Sequence, residues 1–232
     1  MKKLLLLLAI LPFMISCQDK KVDWAKVNLP IPLDSISKNY EILPYYDYNT
    51  QNMELYKSFD KNLLFFDETE LDGKVLINNS IVIYVSTFDK NILAITLFTE
   101  DEKNTDKLLK IIDEQLGKAD YHYYYNDNKK LITTQKIWKK EGKYYTLNFK
   151  NPDYIFGEKT KTAQLTIFNS ESNVFLKWWF YSGGDFSGYY GQYIDESKKP
   201  EHKNKNYTYK DFVEQMDREN KNYGTTSEFF VK

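Results

Sequence analysis

The chain has 232 residues with 32 basic and 33 acidic side chains, a net charge of −1 and a single cysteine. That length supports one sizeable domain with a buried core. One thiol forms no internal disulfide, near-neutral charge argues against a nucleic-acid partner, and 42% hydrophobic residues argue against a disordered chain.

Taken in chain order, the N-terminus comes first. Lys2 and Lys3 precede an apolar run over residues 4–15. A run of about twelve residues is too short to cross a ~30 Å hydrocarbon core, which needs about 20. It suits the hydrophobic region of a signal peptide, and Met14-Ile15-Ser16-Cys17 follows directly. This combination resembles the signal of bacterial lipoproteins, although Met14 stands where Leu is usual. The resemblance implies removal of residues 1–16, acylation of the Cys17 thiol (palmitate-type chains) and acylation of the new amine. Two or more acyl chains hold a protein stably on a bilayer. Gln18, where Asp would favour inner-membrane retention, implies an outer-membrane protein facing the periplasm. Surface exposure is the alternative; Asp19 is followed by Lys20 and Lys21 and not by an acidic run. An ordinary secretory signal with an unrelated Cys is the competing reading.

Residues 17–36 read as a lipidated tether carrying Pro30 and Pro32, or as an edge strand laid on the body with Trp24 as a plug. Residues 37–232 read as one domain. Met53, Tyr56 and Phe59 are spaced three apart and suggest a short helix over 51–59. Apolar and β-branched runs suggest strands at 62–66, 75–77, 81–85 and 92–98. The period then changes. Leu108, Leu109, Ile111, Ile112 and Leu116 predict a helix over 101–116, with Thr99/Glu102 or Asn104/Thr105 at its start and Gly117 ending it. Further strands are expected at 120–126, 131–138, 144–149, 163–168 and 174–181, with a hairpin turn at Glu141-Gly142. Residues 182–207 lose all period. Thr208-Tyr209-Lys210-Asp211 resembles a capping box and opens a helix over 209–219. The expectation is an α+β fold: a mostly antiparallel sheet with two main helices packed on it.

The catalytic inventory is thin. Acylation would consume the only thiol, and His122 and His202 are too scattered for a histidine-rich zinc site, so no metal or other cofactor is expected. No G-x-S-x-G, H-E-x-x-H or Walker A pattern occurs. Residues 47–51 open like a calcium loop, but no Gly stands sixth and Ser58 stands twelfth. No catalytic residue is assigned, and a binding role is favoured over an enzyme. The compositional oddity is aromatic, at 17% with 20 Tyr. Tyr and Trp dominate binding hot spots. Residues 182–191 hold four of the nine glycines beside Trp178 and Trp179. The candidate binding surface is therefore Trp178, Trp179, Asp185, Phe186, Tyr189 and Tyr190. The function expected is a membrane-anchored envelope protein binding a protein partner, such as a toxin, or a glycan. The alternatives are an envelope hydrolase using Asp185 with a second carboxylate, and a structural lipoprotein without ligand.

Overall fold

Runs such as Ser-Ile-Val-Ile-Tyr-Val-Ser at 80–86 are buried along their whole length, which requires a sheet covered on both faces. A computed structural model describes residues 20–46, 52–73, 78–127, 130–155, 157–182, 185–203 and 206–219. The elements in chain order are β1 (Ile31–Pro32), α1 (Asp34–Ser37), β2 (Leu43–Tyr45), β3 (Met53–Ser58), β4 (Phe65–Phe66), β5 (Thr69–Glu70), β6 (Ser80–Ser86), β7 (Asn91–Thr99), α2 (Glu102–Leu116), β8 (Tyr121–Asp127), β9 (Lys130–Lys140), β10 (Lys143–Ile155), β11 (Glu158–Asn169), α3 (Asn173–Ser182), α4 (Asp185–Ser197), α5 (Pro200–Lys203) and α6 (Tyr209–Arg218). Nine strands form one sheet in the order β2-β3-β6-β7-β11-β10-β9-β8, with β1 added on β7. Its ladders are all antiparallel. The fold is α+β, as the sequence leads one to expect. The β9–β10 hairpin turns at Glu141 (φ 51°) and Gly142 (φ 74°), the paired left-handed residues of a two-residue loop.

One face of the sheet is aliphatic. Ile81, Ile83, Val85, Ile95, Leu97, Leu165 and Ile167 meet Leu108, Ile111 and Ile112 of α2. Helix α2 starts at Asp101, whose carboxylate accepts the Asn104 N–H at 2.8 Å. That residue, and neither Thr99 nor Asn104, is the cap. Asp101 also receives the Asn79 amide at 2.7 Å, so the cap ties the helix to the preceding loop. Gly117 (φ 67°) ends the helix as its position predicts.

Residues 20–36 complete this layer. Trp24 is 1% exposed and donates its indole N–H to the Leu63 carbonyl at 2.8 Å. Val22 N–H bonds the Asn62 carbonyl, and β1 pairs with β7. The described part of the expected tether, residues 20–36, is thus laid on the body with Trp24 as a plug. The Asp23 carboxylate accepts both N–H groups of the Asp67-Glu68 turn, at 2.7 and 3.1 Å.

The second face is aromatic and carries α3, α4 and α6. Two expectations fail here. Residues 174–181 are helix, not strand: the Leu176 N–H bonds back to the Ser172 carbonyl, and Phe175 and Trp179, four apart, are buried together. A short apolar run has no period of its own to decide between strand and helix. Residues 185–197, expected to be irregular, form the 13-residue α4. Its glycines lower helix propensity but let it lie close on α3: a Cβ at Gly191 would stand 3.0 Å from the Phe180 ring. A third correction lies at the sheet's other end. Residues 53–58 are strand β3, with Met53 and Leu55 facing the core, so the three-residue spacing is accidental. Of the segment 62–66, only Phe65 and Phe66 are strand. Helix α6 keeps its expected capping box, Thr208 with Asp211. Residues 1–19, 47–51 and the whole 75–77 segment lie outside the described residues.

Candidate ligand-binding cleft

Strand register sets the floor of a cleft on the aromatic face. Across β10, β11, β7 and β6 runs the row Tyr144, Phe168, Ala94, Tyr84. The next row, from β9 to β6, is Ile137, Thr146, Thr166, Thr96, Val82. Beyond it runs Gln135, Asn148, Gln164, Phe98, Ser80. The floor therefore passes from aromatic through hydroxyl to amide along the strands.

Helix α3 forms the wall. Phe175, Trp178 and Tyr84 touch one another with ring centroids 5.1–5.2 Å apart. Between wall and floor is a cavity of about 140 Å³. Thr96 and Thr166 share a hydroxyl hydrogen bond at 2.8 Å, and Thr96 also donates to the Tyr84 hydroxyl at 3.4 Å. The side chains of Gln135, Asn148, Gln164 and Thr146 make no hydrogen bond among the described residues. The Trp178 indole N–H is buried without a partner there too.

Among the described residues Lys136 is the one charged side chain that borders the cavity, and its ammonium turns to the opposite face, 3.9 Å from Asp113 and 6.0 Å from the Trp138 ring centre. No carboxylate of the described residues lines it. Past the end of β7, burial holds the Glu100 carboxyl above its ordinary range; Lys57 pulls it down and Asp153 pushes it up. One Glu100 oxygen is buried without a partner.

The six residues of the sequence-derived surface separate. Trp178 and Trp179 both border the cleft, though Trp179 is 8% exposed and packs on Phe168, Phe180 and Tyr190. Tyr190 is a core residue, 1% exposed, with its hydroxyl 3.2 Å from that of Tyr144. Burial among Tyr121 and Tyr144 pushes its phenol far above the ordinary range. Asp185, Phe186 and Tyr189 lie in the first turns of α4, and their side chains are outside the described residues, as is Cys17. The large exposed apolar side chains lie elsewhere: Leu43, Tyr45 and Phe59 at the β2 edge, with Lys57 over both rings, and Tyr46 and Phe88 beyond.

Sequence reasoning missed Thr96, Thr146, Thr166, Gln135, Asn148 and Gln164. The signal was present. In Ala163-Gln164-Leu165-Thr166-Ile167, polar residues alternate with apolar ones, a pattern ordinarily assigned to solvent. Of the two histidines, His122 sits half-buried in β8, with its pKa lowered by burial and by Lys136. His202 stacks on Tyr207, with ring centroids 3.9 Å apart. Among the described residues no group of three His, Cys, Asp or Glu side chains could hold a metal, and no helix is long and apolar enough to cross a membrane. Comparison with protein-family models, with curated proteins and with solved structures finds no match to this chain.

Proposed function

We propose that this protein is a lipid-anchored envelope protein that binds a ligand in the cleft between α3 and the sheet. One observation carries the binding reading: amides and a hydroxyl without protein partners share a concave site with a buried, unpaired indole N–H. The amides and the hydroxyl are half-buried and open to water, so a ligand whose own polar groups match the row can pair with them in place of that water. A concave, partly aromatic site with a few convergent polar groups is the usual form of a small-ligand pocket. A carboxylate-pair hydrolase needs two acids about 5–9.5 Å apart at its cleavage point, and the described residues of the cleft lining include no acid.

Anchoring rests on the Met14-to-Cys17 signal. Cys17 is three residues from Lys20, whose carbonyl accepts the Tyr40 hydroxyl. Three extended residues reach about 10 Å. An acylated Cys17 would therefore hold the body directly at the bilayer surface, outer membrane and periplasmic side by the Gln18 reading.

Two measurements test the proposal. A C17A variant should leave the membrane fraction, and globomycin should block processing; a C17A protein that stays bound refutes the anchor. A small-ligand screen read by protein NMR should shift the side-chain signals of Gln164, Asn148 and the Trp178 indole together. A screen in which these signals never move refutes the cleft.

A further inference from the structure

From the chemistry of the cleft lining we infer that its ligand is an uncharged, hydroxyl-rich ring, a neutral sugar residue. The inference rests on the cleft being the binding site and adds the class of molecule it takes.

Four properties of the lining select that class. First, among the described residues no carboxylate lines it, and its one charged side chain, Lys136, turns its ammonium toward Asp113 on the other face. A charged ligand would lose its hydration there without meeting a counter-charge. Second, Gln135, Asn148 and Gln164 each present a carbonyl acceptor and an NH₂ donor, and Thr146 presents a hydroxyl that does both. Sugar hydroxyls also donate and accept, so a cluster of them pairs with such a row in either sense. An apolar ligand would leave the whole row unpaired, at a cost that grows with each group. Third, the wall is aromatic. Trp178, backed by the fully buried Phe175, offers a flat ring suited to the C–H face of a sugar, while the sheet side supplies the polar groups. Fourth, the space is about 140 Å³. An internal cavity of about 150 Å³ takes one six-membered ring such as benzene. The site therefore accepts one ring, either a free monosaccharide or one residue of a glycan.

Isothermal titration, paired with protein NMR of the Trp178 indole, decides the matter on the purified chain lacking residues 1–16. The probes are glucose, galactose, mannose and N-acetylglucosamine, the trisaccharides maltotriose, cellotriose and chitotriose, and the controls glucuronate, glucose 6-phosphate and laurate. The expected result is saturable binding of at least one neutral sugar, with the indole signal shifting on titration. Trisaccharide binding tighter than that of its monomer identifies a glycan residue as the ligand; equal binding identifies the free sugar. Gln164→Ala and Asn148→Ala should each weaken binding about tenfold, the size of one lost hydrogen bond. Trp178→Phe, which keeps a ring but removes the N–H, should weaken it with an unchanged circular dichroism spectrum. If glucuronate, glucose 6-phosphate or laurate moves the indole signal and no neutral sugar does, the ligand class is wrong and the cleft stands. If no probe moves it, the sugar assignment is overturned and the cleft reading falls to the broader screen. Sugar binding that Gln164→Ala, Asn148→Ala and Trp178→Phe leave unchanged overturns the assignment to this cleft.

Discussion

The two faces of the sheet solve different problems. One face is built mainly of Ile, Val and Leu, with Trp138 and Tyr145 on β9 and β10, and it is sealed by α2 and by residues 20–36. Branched aliphatic side chains interdigitate at crystal-like density and present no polar groups. The other face alternates Tyr and Phe with Thr, Gln and Asn, and its helices bring Phe175, Trp179, Tyr190 and Phe212 down onto the Tyr144–Phe168–Ala94–Tyr84 row. Beside that cover a cavity remains over the threonine and amide rows. Burial serves stability on the first face. On the second it gives way to polar rows, and a cavity is left.

Three substitutions sharpen or break this division. The largest effect is expected at Trp24, whose ring is buried and whose N–H is bonded to Leu63. Trp24→Ala should lower the unfolding free energy by about 3–5 kcal/mol in urea denaturation. A loss below about 1 kcal/mol would make residues 20–36 a detachable tether and unseal the aliphatic face.

Next comes Asp101, which caps α2 and holds the Asn79 and Asn104 amides. Asp101→Ala should cost about 1–2 kcal/mol by the same measurement, the usual price of an N-cap. A neutral result would mean that packing alone positions the helix.

The smallest effect belongs to Glu100, near the open end of the aromatic face. Its carboxyl is held above the ordinary value of 4.5 by burial, partly opposed by Lys57. A carboxyl whose folded pKa is raised binds its proton more tightly when folded. It costs nothing at low pH, where both states are protonated. The cost grows as pH rises through the unfolded pKa and is complete above the folded one. Glu100→Gln should therefore raise the melting temperature at pH 7, and the gain should vanish near pH 3. A gain independent of pH would place its cause in packing, not charge.

Much of the sheet was legible because strands β6, β7, β10 and β11 carry β-branched and aromatic runs between clear turns, and α2 and α6 carry a helical period with identifiable caps. Local chemistry determined those elements, the Glu141-Gly142 turn and the lipoprotein-like signal. The tertiary structure alone decided the rest. Residues 174–181 became a helix because Phe175 and Trp179 could be buried together against Phe168 and Tyr190. Residues 185–197 form a helix packed on α3, where Gly191 leaves room for the Phe180 ring. The cleft itself joins Gln135, Asn148, Gln164 and Trp178, which are remote in sequence and meet only through strand register and helix docking. Periodicity reports how one segment divides its own faces between core and water; which distant segments share a face is fixed by pairing and packing, and no single segment carries that information.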